Sequence, residues 1–423
     1  MNKDNILVCL GTIAETTVGR DLFDPIHIRF TVTLDHEADE KYIKEAWERT
    51  KRIYPVIDAV LGFEHDISVY INKETRGKYM GDHVYLVKAE EGVNDPIKSR
   101  TPVNPGTDAC GRRLISISFY KDSISISAYH TIVDGDGVNK IFNTFLYLYM
   151  ALYTRHEDEN PVVELREGRD IGEYYTANMS ELLYAHEYKP MPVYTFPMGC
   201  RGFIDEDMVN DEHVYAASLK LDASDFMKYC KENGINPSAL VCAASAKTAY
   251  AVNPERRDDV VLSLTVSLKK MLERKDDISN AVALAHSYVT CDEIMNKPIE
   301  EVAKRIRGDV DSQRSLDYYS SLFRLFTTYR NAPLFQARLV TYIGTVDIGD
   351  NNIHILEHKV ETNSNMVVYL MQVGDRFYLT LLYGKATEKY LKEFDAFFQG
   401  LGIKSEIYAP THYVVKGTDT AVL

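Results

Sequence analysis

Residues 129–137 read Tyr-His-Thr-Ile-Val-Asp-Gly-Asp-Gly. His130 stands four residues before Asp134, and Gly135 follows the carboxylate directly. A neutral imidazole takes a proton from an alcohol or amine as that group attacks a carbonyl. Such a base contributes roughly 10²–10⁴-fold when it sits within hydrogen-bond reach. The chemistry this suits is transfer of an acyl group from a thioester. A carboxylate four residues on needs no long-range fold to bring it near. Asp134 either orients the imidazole or braces the loop by pairing with a distant cation, and its spacing suits bracing better.

The flanking residues explain how the histidine is presented. Ile115, Ile117 and Phe119 alternate with Ser116, Ser118 and Tyr120. After Lys121-Asp122, Ile124, Ile126 and Ala128 alternate with Ser123, Ser125 and Ser127. Period-two alternation across a short polar turn predicts a hairpin. His130 falls in the Ile124/Ile126/Ala128 register, so its side chain is expected on the buried face at the strand's end. Gly135 and Gly137 are expected to supply loop conformations that other residues resist. Val138, Ile141, Phe142, Phe145, Tyr149 and Leu152 then recur at helical spacing, with Asp134 and Asp136 where a helix N-terminus favours carboxylates. Blander readings compete. A lone histidine at a strand end is usually structural, and capping alone accounts for the two aspartates. Asp134-Gly-Asp136-Gly looks like half a calcium loop, but Val138 occupies the third acidic position and no glutamate follows at the required distance. A transition-metal site at His130, Asp134 and Asp136 lacks an identifiable further ligand, so no metal is expected there.

With these residues in view, the chain resembles the chloramphenicol acetyltransferase-like superfamily, whose signature is His-x-x-x-Asp-Gly. Its members include alcohol acetyltransferases, plant acyltransferases and the condensation domains of nonribosomal peptide synthetases. The resemblance runs along nearly the whole chain. Ile26 to Leu34 reads as the opening strand, and Asp39 to Arg52 as the helix after it, ending at Tyr54-Pro55. Val266-Ser-Leu-Lys269 resembles a strand that often ends in arginine. Ser279-Asn280 resembles a small-residue-Asn step, and Thr341-Tyr-Ile-Gly344 a strand usually reading Ser-Asn-x-Gly. The resemblance implies a mixed-sheet α/β (α+β) fold of two chloramphenicol-acetyltransferase-like halves, a V-shaped pseudo-dimer with a channel between them. It implies His130 as base, Asp134 and Gly135 as motif residues, and Lys269, Asn280, Thr341 and Gly344 near the channel or its ion pair. Lys269 is the first candidate for the cation facing Asp134, with Arg29 and Arg113 behind it.

Three departures narrow the reading. Condensation domains usually carry two consecutive histidines, and here the first is Tyr129. Lys269 replaces an arginine and cannot make a planar bidentate pair with a carboxylate. Val346-Asp-Ile-Gly-Asp350 lacks both aromatics of the plant enzymes' Asp-Phe-Gly-Trp-Gly motif. The implied activity is therefore that of an alcohol acetyltransferase or N-acyltransferase. It would use acyl-coenzyme A as co-substrate, with no permanently bound cofactor. The alternatives are a condensation-type domain fed by an acyl carrier protein and a degenerate member that binds a ligand without turnover.

Composition bounds the partners. The chain has 423 residues and a net charge of −14, which argues against a nucleic acid partner. Six cysteines, at positions 9, 110, 200, 230, 242 and 291, show no paired spacing. With no leader-like or membrane-length apolar run, they suggest reduced thiols and a cytoplasmic location. No phosphate-binding glycine loop or Gly-x-Ser-x-Gly elbow is present. Lys269, Lys270, Arg274 and Lys275 cluster after a strand. They either meet the phosphates of coenzyme A or a carrier protein, or form a solvated face with Glu273, Asp276 and Asp277; the second reading is the plainer.

The expected organisation is an N-terminal half over 1–175, a crossover over 176–210 containing a helix near Tyr174 to Tyr188, and a C-terminal half over 211–423. In the last, strands are expected at His213 to Leu221, Val260 to Ser267, Arg338 to Val346, Ile353 to Val360, Met366 to Val373 and Phe377 to Tyr383. Helices are expected from Ala223 to Asn233, Asn236-Pro237 to Ala251, Pro298 to Val310 and Thr387 to Leu401.

Overall fold

A computed structural model describes residues 6–10, 26–63, 84–90, 94–100, 102, 104–177, 179–193, 207, 214–328, 337–364 and 366–414. The strands are β1 (Ile6–Cys9), β2 (His27–Leu34), β3 (Ala59–Phe63), β4 (Val84–Lys88), β5 (Ile97–Ser99), β6 (Ile115–Tyr120), β7 (Ser123–Tyr129) and β8 (Val214–Asp222). They continue with β9 (Val260–Ser267), β10 (Val282–Val289), β11 (Arg338–Val346), β12 (Ile355–Thr362), β13 (Val367–Val373), β14 (Arg376–Leu382) and β15 (Ser405–Val414). Among the described residues they form three sheets, in the orders β1-β4-β3, β12-β2-β7-β6-β5 and β10-β9-β11-β13-β14-β8-β15. The last is mixed, because β11 runs parallel to both of its neighbours, β9 and β13, while the sheet's other pairs are antiparallel. This is the mixed α/β class that the residue pattern predicts.

Helices complete the layers: α1 (Glu40–Ile53), α2 (Gly135–Thr154), α3 (Met179–Ala185), α4 (Ala223–Asn233), α5 (Pro237–Val252), α6 (Cys291–Asn296), α7 (Ile299–Ser312), α8 (Leu316–Thr328) and α9 (Thr387–Gly400). The starts and stops follow capping chemistry. Asp39 caps α1 through Lys41 N–H, Asn236 caps α5 ahead of Pro237, and Gly234 ends α4 in the left-handed conformation.

The seven-stranded sheet is buried on both faces, and period two divides its side chains between two cores. On β13, Val367, Tyr369, Met371 and Val373 join a core containing β2, β7, α1 and α2. The intervening Val368 and Leu370 join a second core, with α4, α5, α7 and α9. A strand buried on both faces reads as a continuous apolar run, as Val367-Val-Tyr-Leu-Met does.

β12 ties the sheets together. It lies in the second half of the chain yet pairs antiparallel with β2 in the five-stranded sheet, Val360 opposite Phe30. The expected strand at Ile353 is displaced, since Gly349–His354 forms a 3₁₀ turn and the strand starts at Ile355. The long helix expected near Tyr174 to Tyr188 is reduced to one 3₁₀ turn at Ile171–Glu173 and the short α3. Of the crossover, residues 178, 194–206 and 208–210 lie outside the described residues, as does His213 at the start of the next expected strand. The short strands β1, β3, β4 and β5 and the helices α6 and α8 carried no periodic signal that the sequence reading caught. No helix among the described residues is long and apolar enough to cross a membrane. Cys110, Cys230, Cys242 and Cys291 are buried free thiols.

Two cores sharing one sheet should melt together. The single tryptophan, Trp47, is fully buried in the first core, edge-on to Phe145 with ring centroids 5.9 Å apart. Phe394→Ala, in the second core, should cost about 3–5 kcal/mol. It should shift the Trp47 emission transition and the far-ultraviolet circular dichroism transition by the same amount. Separated transitions would show that the halves unfold independently.

Candidate active site

β7 ends at Tyr129, one residue earlier than the register suggests, and His130 opens a turn instead of continuing the buried face. The imidazole is half-buried. Its backbone N–H donates to Ile26 O at 2.9 Å, and its Nδ1 lies 3.0 Å from Val133 O. A carbonyl only accepts, so Nδ1 carries the proton and Nε2 keeps the lone pair. The orienting partner of the imidazole is therefore a backbone carbonyl, not Asp134. Tyr129 is buried against Gly106.

Asp134 is fully buried and braces the loop. Its Oδ1 accepts from Gly137 N–H at 2.8 Å, capping α2, and from Lys269 Nζ at 2.8 Å. Its Oδ2 accepts from Ala281 N–H at 3.1 Å. Lys269 is only 2 % exposed and also reaches Asp136 Oδ2 at 2.9 Å. Asp136 takes a second cation, Lys140 Nζ, at 2.9 Å. Arg29 is engaged elsewhere, 3.6 Å from Glu361 and bonded to Ser127 and Asn104, and Arg113 pairs with Asp58 at 2.6 Å. A compact ammonium suits this site, because its protons go to two separate carboxylates and not to one planar fork.

The pairing shifts titration in the expected directions. Burial alone would raise the Asp136 carboxyl, but Lys269 and Lys140 outweigh it and hold the group below its ordinary 3.8. Burial likewise works against charge on Lys269, and the carboxylates of Asp134 and Asp136 outweigh it, raising the ammonium above its ordinary 10.5.

The chain following Lys269 supplies the rest of the cradle. Asn280 Nδ2 donates to His130 O at 2.8 Å, and Val133 bridges to Ser279. Asp277 is buried. Its carboxylate accepts from Ser279 N–H at 2.7 Å, Ser279 Oγ at 2.5 Å and Thr176 Oγ1 at 2.5 Å. This corrects its place in a solvated face: the Asp-x-Ser spacing is that of a side chain closing its own turn. Gly135 and Gly137 are not loop residues but the first turn of α2. Gly137 is required by approach, since a Cβ there would lie 2.0 Å from Ile278 O. Gly344 stands at an irregularity in the β11–β13 register with φ 122°, beside Asn139, whose Nδ2 donates to Thr345 O at 2.9 Å. Thr341 is half-buried on the same strand.

The basic cluster divides. Lys269 is consumed inside, while Lys270, Arg274 and Lys275 are exposed on the turn beyond it. Sequence reasoning also missed His27. Burial first, then Arg29 and His130 against the opposing pull of Glu361, push its imidazole down to about 3, so it is neutral near pH 7. Neither ring nitrogen has a hydrogen-bond partner among the described residues. The signal available was its place in the opening strand, opposite Tyr129.

No protein-family model matches the chain, and no curated protein matches it. Solved structures do match. TRI101 of F. graminearum, complexed with coenzyme A and T-2 mycotoxin, aligns with TM-score 0.62 and 11% identity, over 96% of this chain and 99% of that one. Polyketide synthase associated protein 5 from Mycobacterium tuberculosis aligns with TM-score 0.61 and 12% identity, over 93% and 97%. The first condensation domain of the calcium-dependent antibiotic synthetase aligns with TM-score 0.58 and 12% identity, over 94% and 96%. The fold is that of the two-lobed acetyltransferases and condensation domains. At such identity the likeness is one of fold.

Two outcomes are expected at the ion pair. Asp134→Asn leaves the buried ammonium with Asp136 as its remaining carboxylate and should cost up to about 3–5 kcal/mol, read as a lower urea midpoint in Trp47 fluorescence. For Asp136, a depressed folded pKa means stability that is present above pH 3.8 and lost as pH falls through the folded value. The stability difference between wild type and Asp136→Asn should therefore be flat near neutrality and shrink below that pH. A difference that grows with acid would contradict the pairing.

Proposed function

We propose that the protein transfers a short acyl group, acetyl in the simplest case, from a coenzyme A thioester to an alcohol or amine. His130 is the general base. The observation that carries this reading is the tautomer: Val133 O accepts from Nδ1–H, which leaves Nε2 able to take a proton. In the reaction, Nε2 accepts the proton of the attacking hydroxyl or amine as its oxygen or nitrogen bonds to the thioester carbon. The tetrahedral intermediate then expels the sulfur, and the imidazolium returns the proton to the leaving thiolate. Asp134, Gly135 and Lys269 hold the turn, Tyr129 and Asn280 flank it, and Thr341 and Gly344 lie on the strand beside the motif helix. Acyl donor and acceptor approach through a channel between the halves.

Support for the donor comes from TRI101, solved with coenzyme A, and from TRI3, described as a trichothecene 15-O-acetyltransferase, which aligns with TM-score 0.59. Lys270, Arg274 and Lys275 are the exposed cations assigned to the donor's phosphates. The condensation-domain likeness favours a second reading, in which the thioester arrives on an acyl carrier protein.

Purified protein assayed with a panel of acyl-coenzyme A thioesters and alcohols or amines tests both. Turnover is expected with at least one pair. His130→Ala should keep its circular dichroism spectrum and lose about 10²–10⁴-fold in kcat/KM. Undiminished activity in that variant removes His130 as base. Transfer only from a phosphopantetheinylated carrier protein replaces the donor, and ligand binding with no transfer from any donor supports a non-catalytic member.

A further inference from the structure

A second cluster of chemically capable side chains lies outside this site, where β2 and β12 meet. Asp35 and His36 follow β2, and His354 precedes β12. One donor atom from each of the three residues lies within 4.8 Å of the other two. Asp35 Oδ1 is 2.6 Å from His36 Nδ1, and Asp35 Oδ2 is 2.9 Å from His354 Nδ1. Asp35 N–H donates to His354 O at 3.1 Å, so the two segments are held as cross-strand neighbours. The His36 ring stacks on Tyr153 with centroids 3.6 Å apart and planes 6° from parallel. Its Nε2 lies 3.2 Å from Tyr149 Oη, which accepts Asp39 N–H at 3.1 Å.

We propose that Asp35, His36 and His354 bind one divalent transition-metal ion of the zinc, cobalt or nickel class. Two imidazoles and one carboxylate are a donor set these ions take. With metal–ligand bonds of about 2.0–2.2 Å, the three donor atoms need only close around a point beside the Asp35 carboxylate, where hydrogen bonds now join it to each imidazole. The ion displaces those protons, as metal binding to histidine does. His36 has the outer support such ligands use: Nε2–H donating to Tyr149 Oη leaves the Nδ1 lone pair facing inward, and Tyr153 fixes the ring plane. Asp35 is 39% exposed at its side chain, so the outer coordination positions open to water.

The placement gives the ion a structural consequence. His354 leads into the strand that leaves the second half of the chain, while Asp35 and His36 belong to the strand that receives it. A bound ion clips the two together and stabilises the folded state by mass action. This holds whether or not His130 performs acyl transfer.

The test uses tag-free, chelator-treated full-length protein. Titration with Co²⁺, read by its d–d absorption, should saturate at one equivalent and be reversed by Zn²⁺, and excess Zn²⁺ should raise Tm. His354→Ala should weaken Zn²⁺ by more than about tenfold and abolish the Tm rise. Tyr149→Phe, which removes the outer support of His36 together with the acceptor of Asp39 N–H and leaves all three ligands in place, should weaken it by about tenfold or more while keeping the stoichiometry. Asp35→Asn, a change on the exposed side, serves if His354→Ala fails to fold. No saturable Co²⁺ signal in the wild type, or equal binding and equal Tm rise in both ligand variants, would overturn the site and leave a cluster that holds only protons.

Discussion

The ammonium of Lys269 against the carboxylate of Asp134 is the contact around which the motif region is organised. Burying two charges costs several kcal/mol per ion, and the attraction offsets this only when the remaining donors and acceptors are also met. Here they are. Both oxygens of Asp134 accept backbone N–H groups, one from Gly137 and one from Ala281, and Asp136 takes the ammonium's second bond. The same carboxylate that neutralises Lys269 caps the 20-residue helix α2. The pair also fixes how closely the halves approach, since only a hydrogen at Gly137 fits over Ile278 O.

This arrangement separates the bracing carboxylate from the imidazole of His130. Asp134 places its charge on Lys269, while the imidazole of His130 is oriented by the neutral Val133 carbonyl and the backbone of His130 is held by Ile26 O and Asn280. A neutral orienting partner sets the tautomer without placing a second full charge beside the base. Neutral, buried His27 on the adjacent strand is consistent with the same economy of charge. Beneath the turn, β13 contributes side chains to both cores and β12 passes into the five-stranded sheet, so strands from late in the chain pack with β2 and β7. The loop that presents His130 is therefore anchored on both sides.

Much of this was legible locally. The β6–β7 hairpin, α2, the Gly234 stop and the Asn236-Pro237 start follow from alternation, helical spacing and capping, which depend on residues a few positions apart. The His-x-x-x-Asp-Gly pattern marked the turn between β7 and α2 for the same reason. The ends of elements were less legible. β7 stops at Tyr129, opposite the first residue of β2, and His130 N–H donates to Ile26 O just outside that strand, a contact distant in sequence.

Long-range choices belonged to the tertiary structure. The sequence ranked Lys269 ahead of Arg29 and Arg113 as partner of Asp134, but charge alone did not separate them. Packing put Lys269 on Asp134 across 135 residues and gave the other two to Glu361 and Asp58. The glycines of the motif read as loop formers, yet one of them is there for a close approach that no local rule encodes. Asp277 read as solvated, and burial made it a brace. Periodicity showed a strand near 353–360, observed at 355–362, but not that it would pair with β2, nor that Asp35, His36 and His354 would meet there. Side-chain pattern reports which face is buried; which neighbour buries it depends on chain distant in sequence.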